Sequence, residues 1–327
     1  MSDPKPRDPD LQKALESLER TMRDAPRKAP EPEPDKNPPR AVVIQLPLWP
    51  EPVRGAPNTL LRSAFFAAIH SKRRELGERI NPDEPKQGVI IAAQDGIRIS
   101  YAGDQLNQYD ADVFFEALHR ARRHTLGTEG FFTGYDFLKA IGRAVGKLNY
   151  QDLNNSLRRL RDGRVEIAWK INSRKYKFEG GLISKHVREQ NSRLYKVTFA
   201  EEIRDLFAPA CWTQLEWDER MALKGKPLAQ WMHSFYCSHA EPFPLSVAYL
   251  YEKSGSHRTL LKHFKSDLKN ALATLEKVLG WKAIWEGNVL TLMRQPSASQ
   301  IRHLNQKKAG IRKRKHRELT SVSDLFG

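Results

Sequence analysis

From Gly88 to Met293 the spacing of apolar positions alternates between two residues and about 3.6, and each change marks an element. Gly88–Ala92 and Ile97–Tyr101 are β-rich runs around the turn signal Asp95-Gly96. Asp110 to His124 repeats Val113, Phe114, Ala117, Leu118 and Ala121 at helical spacing. A short strand at Phe131–Thr133 leads to helices over Tyr135–Ile141 and Tyr150–Arg161, the latter ended by Asp162-Gly163. Strands then follow at Val165–Ile171, Tyr176–Phe178 and Leu194–Phe199. The order repeats further on. Gly225–His239 reads as a helix, Pro242-Phe243-Pro244 breaks it, Leu245–Lys253 is a second helix, and Ser254-Gly255-Ser256 is a turn. His257–Leu279 is a third helix, and strands Trp281–Trp285 and Val289–Met293 flank Glu286-Gly287-Asn288. Helix, strand, helix, turn, helix, hairpin is the order of a winged helix-turn-helix, so the pattern predicts an α+β chain with two such domains in tandem.

Outside that span the pattern fails. Thirteen of the 20 prolines lie in residues 1–57, which no packed core accommodates. Within that arm, residues 10–23 have the spacing of a short amphipathic helix through Leu11, Leu15, Leu18 and Met22, and residues 26–39 read as a polyproline-like linker. The expected division is a flexible arm at 1–57, a first winged-helix domain at 58–200, a second at 201–293 and a basic tail at 294–327, with both tails disordered.

The third helix of each domain carries the candidate chemistry. In the first, Leu153, Leu157 and Leu160 share one face while Gln151, Asn154, Asn155 and Arg158 take the other. Asn and Gln match the N6/N7 edge of adenine, and Arg matches O6/N7 of guanine. In the second, Arg258, Lys262, Lys265 and Lys269 run beside the apolar stripe Leu261, Phe264, Leu268, Leu272, Leu275, with Ser256 and Thr259 at the helix start, suited to gripping a phosphate. Like charges on one face weaken an isolated helix, and a phosphate partner removes that cost. Lys170, Arg174, Lys175 and Lys177 make a basic hairpin tip, read as the first wing.

Charge agrees. With 55 Lys+Arg against 39 Asp+Glu the net charge is +16, which favours a polyanionic partner. No apolar run is long enough for a membrane helix, so no membrane partner is expected. Two cysteines, Cys211 and Cys237, suit a reducing cytoplasm. The segment 142–147, GRAVGK, lacks the spacing and the following Ser or Thr of a nucleotide-binding loop. No His-x-His pair and no carboxylate cluster suggest a nuclease. His233 and Cys237 lie one helical turn apart but share their helix with Phe235 and Tyr236, so they read as core side chains rather than metal ligands. The expectation is a DNA-binding protein with no catalytic site, cofactor or metal.

One short motif stands apart. Gln45-Leu46-Pro47-Leu48-Trp49 is an apolar pentapeptide in the Pro-rich arm. It is similar to the Gln-Leu-Ser/Asp-Leu-Phe peptide by which bacterial proteins dock the sliding clamp of DNA polymerase III, departing from it at Pro47 and Trp49. With Asn58–Phe66, Leu206-Phe207-Ala208 and His233–Leu245, it makes the chain resemble TrfA-type plasmid replication initiators from about Ile44 to Met293. The resemblance implies binding to direct repeats (iterons) of double-stranded origin DNA, help in opening the origin, and recruitment of the clamp and of the host replicative helicase or initiator, with a homodimer as one state. Gln45, Leu46, Leu48 and Trp49 would be the clamp-docking residues. A winged-helix transcription regulator would share the DNA-reading domains but has no need of a clamp motif.

Overall fold

The computed structural model describes Lys13 and residues 45–75, 88–94, 96–171, 174–188, 194–302, 304–306 and 308–309. The helix at 10–23 (save Lys13, which is helical and exposed), the linker at 26–39 and the end of the basic tail lie outside these residues.

The described elements begin with β1 (Val53–Pro57), α1 (Asn58–Leu61), β2 (Phe66–Ala67), β3 (Val89–Ile91), β4 (Ile97–Ala102) and β5 (Leu106–Asn107). The first three-helix unit follows: α2 (Gln108–Ala121), β6 (Glu129–Thr133), α3 (Gly134–Ala140) and α4 (Lys147–Asp162). Then come β7 (Arg164–Ile171), β8 (Arg174–Gly180), β9 (Lys185–Arg188) and β10 (Leu194–Thr198). A 3-10 turn at Glu201–Phe207, β11 (Trp212–Glu216) and α5 (Trp217–Ala222) form the joint. The second unit is α6 (Pro227–Cys237), β12 (Leu245–Ser246), α7 (Val247–Ser254), α8 (Leu261–Leu279), β13 (Lys282–Glu286) and β14 (Val289–Met293).

Two sheets share one topology. In the first, β10 lies between β6 and β9; in the second, β14 lies between β12 and β13. Each is the strand-plus-hairpin of a winged helix packed on three helices, so the tandem arrangement stands. The hairpin of the first unit is β9–β10, however, and not the one expected. β7 and β8 instead extend β3 and β4 into a separate four-stranded sheet. The pattern favoured the wrong one, because β7 alternates Val165, Ile167 and Trp169 inward while β9 carries only Val187 as an apolar residue; pairing of Tyr195 with Phe132 across β10 and β6 settles it.

Both tail boundaries also shift. β1 pairs antiparallel with β11 of the joint, and Leu46 and Trp49 are buried, so the folded body starts by Gln45 and not at Asn58. At the other end Arg294 donates to the carbonyls of Tyr236 and His239, and Gln300 donates to that of Cys237. The chain after β14 therefore caps α6, whose last carbonyls have no partner within the helix.

Local chemistry sets the helices. Asn107 and Asp110 form a reciprocal capping box at the start of α2. Gly280, at φ 68°, ends α8 in the left-handed conformation. Gly163 follows α4 directly, where any Cβ would stand 2.3 Å from the Tyr101 hydroxyl, so only glycine lets the sheet approach the helix so closely.

Candidate nucleic-acid interface

α4 is held from beneath by one buried carboxylate. Asp110 of α2 accepts from Ser156 Oγ at 2.7 Å and from the Arg159 guanidinium at 2.7 and 3.1 Å, while Arg74 reaches it at 2.9 Å. Leu153, Leu157 and Leu160 are fully buried on the same side. These contacts fix the rotation of α4, and the outer face is therefore defined. Gln151, Asn155 and Arg158 are exposed on it; Asn154 is half-buried at its margin.

Sequence reasoning missed Leu148. It continues the stripe of Gln151, Asn155 and Arg158 at helical spacing, and it is 75 % exposed. The flank is similarly mixed. Exposed Phe131 lies under Lys196 at 5.3 Å, and exposed Tyr135 under Lys139 at 5.2 Å. An apolar residue at a helix start, outside the core repeat, was the available signal.

α8 is shorter than expected. It starts at Leu261, so Ser256, Arg258 and Thr259 precede the helix instead of forming its first turn. Arg258 is engaged by Asp267 through two bonds of 2.5 and 2.9 Å. Lys265 donates to Gly287 O and Asn288 Oδ1 in the turn of the second wing, at 3.1 and 2.7 Å. The expected stripe thus divides: Lys262 and Lys269 stay exposed, while Lys265 fastens wing to helix and Arg258 fastens the preceding loop. Lys175 is exposed, but it and Arg174 belong to β8 of the four-stranded sheet.

The pentapeptide is seated on the first unit. Trp49 donates from Nε1 to His119 Nδ1 at 3.0 Å and stacks on Phe207 at 5.8 Å. Gln45 donates to Arg122 O at 3.1 Å, and Arg122 Nε donates to Trp49 O at 3.1 Å. Leu46 and Trp49 are each 3 % exposed, whereas Leu48 is 67 % exposed. Burial and the neighbouring Arg54 bring His119 down to about 4, so near neutrality its ring is uncharged. Nδ1 then accepts from Trp49, and Nε2–H donates to Glu51 at 2.9 Å. That bond, with Arg122, holds Glu51 down to about 2.

The joint is polar and buried. Arg220 of α5 is fully enclosed and donates to Asp112 Oδ1 at 2.7 Å and Gln108 Oε1 at 3.1 Å on α2, and to Ser234 Oγ at 2.5 Å on α6. Beside it His233 of α6 faces Glu219 of α5. Burial pulls the His233 ring down, but Cys237 and Glu219 outweigh it and push the ring up to about 9. Among the described residues no helix is long and apolar enough to cross a membrane.

The chain is similar to several known proteins. The sequence profile of the TrfA protein family matches residues 40–290. The plasmid replication initiator protein TrfA of Escherichia coli is 26 % identical over 244 residues, 71 % of this chain; the chain spans 59 % of that protein's length. Among solved structures, domains 2 and 3 of RctB overlay with a TM-score of 0.49 at 12 % identity, over 73 % of this chain and 98 % of that one. The Pi initiator protein in complex with iteron DNA gives 0.42 at 12 % identity, over 56 % and 91 %.

Proposed function

The chain belongs to the TrfA protein family, and from that premise we propose that it is a plasmid replication initiator that binds iterons in duplex DNA, promotes opening of the origin, and does so without catalytic chemistry. The observation that carries this reading is the outer face of α4. A rigidly held helix presents Leu148, Gln151, Asn155 and Arg158 together, and these types match base edges rather than bulk solvent. Amide and guanidinium groups suit adenine and guanine, and Leu148 suits the thymine methyl. Lys262 and Lys269 of α8, with Ser256 and Thr259, supply phosphate contacts that hold register, and Arg174 and Lys175 add charge from the β7–β8 hairpin.

The test is selection of bound fragments from plasmid DNA by the purified chain, with the enriched sites inspected for direct repeats. Arg158→Ala or Asn155→Ala should then lose about 1–3 kcal/mol of discrimination at one or two base positions. Enriched sites without repeats, or full discrimination in both variants, would reject the reading.

Recruitment of the sliding clamp through Gln45, Leu46, Leu48 and Trp49, and of the helicase, is the finer part of the proposal. Clamp docking requires the pentapeptide to leave its seat, since Leu46 and Trp49 are buried in the folded state while Gln45 and Leu48 are exposed. Self-association fits β3, an edge strand whose Val89 and Ile90 are exposed.

A further inference from the structure

His233 and Cys237 look like core residues along the sequence, and the fold adds a third group that the sequence does not place beside them. Glu219 comes from α5, across the joint, and its Oε2 lies 3.1 Å from His233 Nε2. The ligand-type atoms of Glu219, His233 and Cys237 all lie within 4.8 Å of one another. His233 and Cys237 stand at i and i+4 of α6, the spacing that points two ligands from one helix face at a single ion.

The surroundings are those of a built site rather than a chance surface cluster. The His233 ring is wholly buried, and it stacks on Trp281 at 5.6 Å. Its Nε2 is the nitrogen turned to Glu219, and the ring also meets the Cys237 thiol. Cys237 is buried as well, and Gln300 fixes its carbonyl at 2.6 Å. Glu219 is the open side, with 40 % of its side chain exposed. An ion therefore has a route in from the solvent.

We propose that Glu219, His233 and Cys237 form a binding site for a divalent transition metal, with Zn²⁺ the best match. Thiolate, imidazole and carboxylate are its three protein ligand types, and a tetrahedral site has bonds of about 2.0–2.3 Å. Such bonds put neighbouring ligand atoms roughly 3.3–3.8 Å apart. The ring and carboxylate already meet that spacing to within a few tenths of an ångström, and the thiol needs a shift of about an ångström at most. Two anionic ligands also balance the charge of the ion in a place where water cannot. Binding would release the thiol proton and the second ring proton of His233, since both ligands must be deprotonated to bind the ion. The site would tie α5 to α6 beside Arg220, which already joins α5 to α2, and so would stiffen the joint between the two winged units.

The experiment uses the full chain, stripped with a chelator, and adds Zn²⁺ or Co²⁺ alone. No DNA enters, so the result is independent of the proposed function. One equivalent of Zn²⁺ should be retained through dialysis and should raise the melting temperature by several degrees. Co²⁺ should give tetrahedral d–d bands with a thiolate-to-cobalt charge-transfer band. Glu219→Gln, at a half-exposed position, keeps the fold and should weaken Zn²⁺ binding about 10-fold or more. Cys237→Ser should abolish the charge-transfer band. If Cys237→Ser does not fold, alkylation of the intact chain replaces it, and Zn²⁺ should then protect Cys237 from modification. A chain that retains no Zn²⁺, or a Co²⁺ spectrum without thiolate ligation, would overturn the proposal. Equal Zn²⁺ affinity in Glu219→Gln would remove Glu219 and the cross-joint site with it.

Discussion

At the scale of single residues, two side chains make sharp predictions. Leu148 is apolar, three-quarters exposed, and in line with Asn155 and Arg158. If it meets a thymine methyl, deoxyuridine in place of thymidine at that position should weaken binding by the wild type several-fold. Leu148→Ala should bind thymidine and deoxyuridine sites equally. Persistent thymidine preference in Leu148→Ala, while Arg158→Ala still loses discrimination, would remove Leu148 and leave the α4 reading intact. The second residue is His119. Its folded value of about 4 lies below the ordinary 6.5, so between these values the unfolded chain binds a proton that the folded chain does not. Stability should therefore fall on acidification from pH 6.5 to 4, by up to about 1.4 kcal/mol per pH unit from this ring. His239, also lowered to about 4 by burial, adds in the same direction. Glu51 stays ionised throughout that window. Melting curves of His119→Gln should show a shallower acid slope than wild type; superimposable profiles would contradict the assignment.

At the scale of elements, the segment from Gln45 to Trp49 has two roles to reconcile. Trp49 fills a site between α2 and the joint, packed on Phe207 and Trp212. Removing it should cost about 3–5 kcal/mol. Leu48 faces solvent, and Leu48→Ala should change stability by no more than about 0.5 kcal/mol. Urea denaturation of both variants checks the difference. Clamp pull-down with Leu48→Ala, which remains folded, then checks docking without the complication of unfolding. Undiminished clamp capture by Leu48→Ala would count against the docking motif. The joint follows a different logic. Arg220 is buried and makes bonds to both α2 and α6, so orientation of the two units is set by directional hydrogen bonds as well as apolar packing.

At the scale of the whole molecule, charge matters most. A net +16 implies that part of any affinity for DNA comes from counterion release, with a log–log salt slope of about 0.9 per phosphate contact. Arg302, Lys307, Lys308, Arg312, Lys313, Arg314, Lys315 and Arg317 concentrate this charge near one end. Deletion of 301–327 begins just after Gln300, which ties the chain to α6. The truncated protein should bind with a flatter salt slope and unchanged site preference. Titrations at several salt concentrations measure both, and an unaltered slope would assign these residues to another partner.

The sequence by itself determined the tandem units, because strand and helix periods are local and each third helix declares its buried face through leucine spacing. It also determined the outer face of α4, since Leu153 and Leu157 leave Gln151, Asn155 and Arg158 only the opposite side. It did not determine which hairpin pairs with β6, because β9 is polar and carries almost no alternation, and pairing is a long-range choice. It held no sign that Trp49 is buried: its companions Phe207 and Trp212 lie more than a hundred residues away, and Pro-rich neighbours suggested exposure. Only the tertiary structure placed Glu219 beside His233, freed Lys262 and Lys269 while engaging Arg258 and Lys265, and seated Asp110 under α4. Each depends on which distant groups meet when two apolar faces close, and local periodicity carries no information about that.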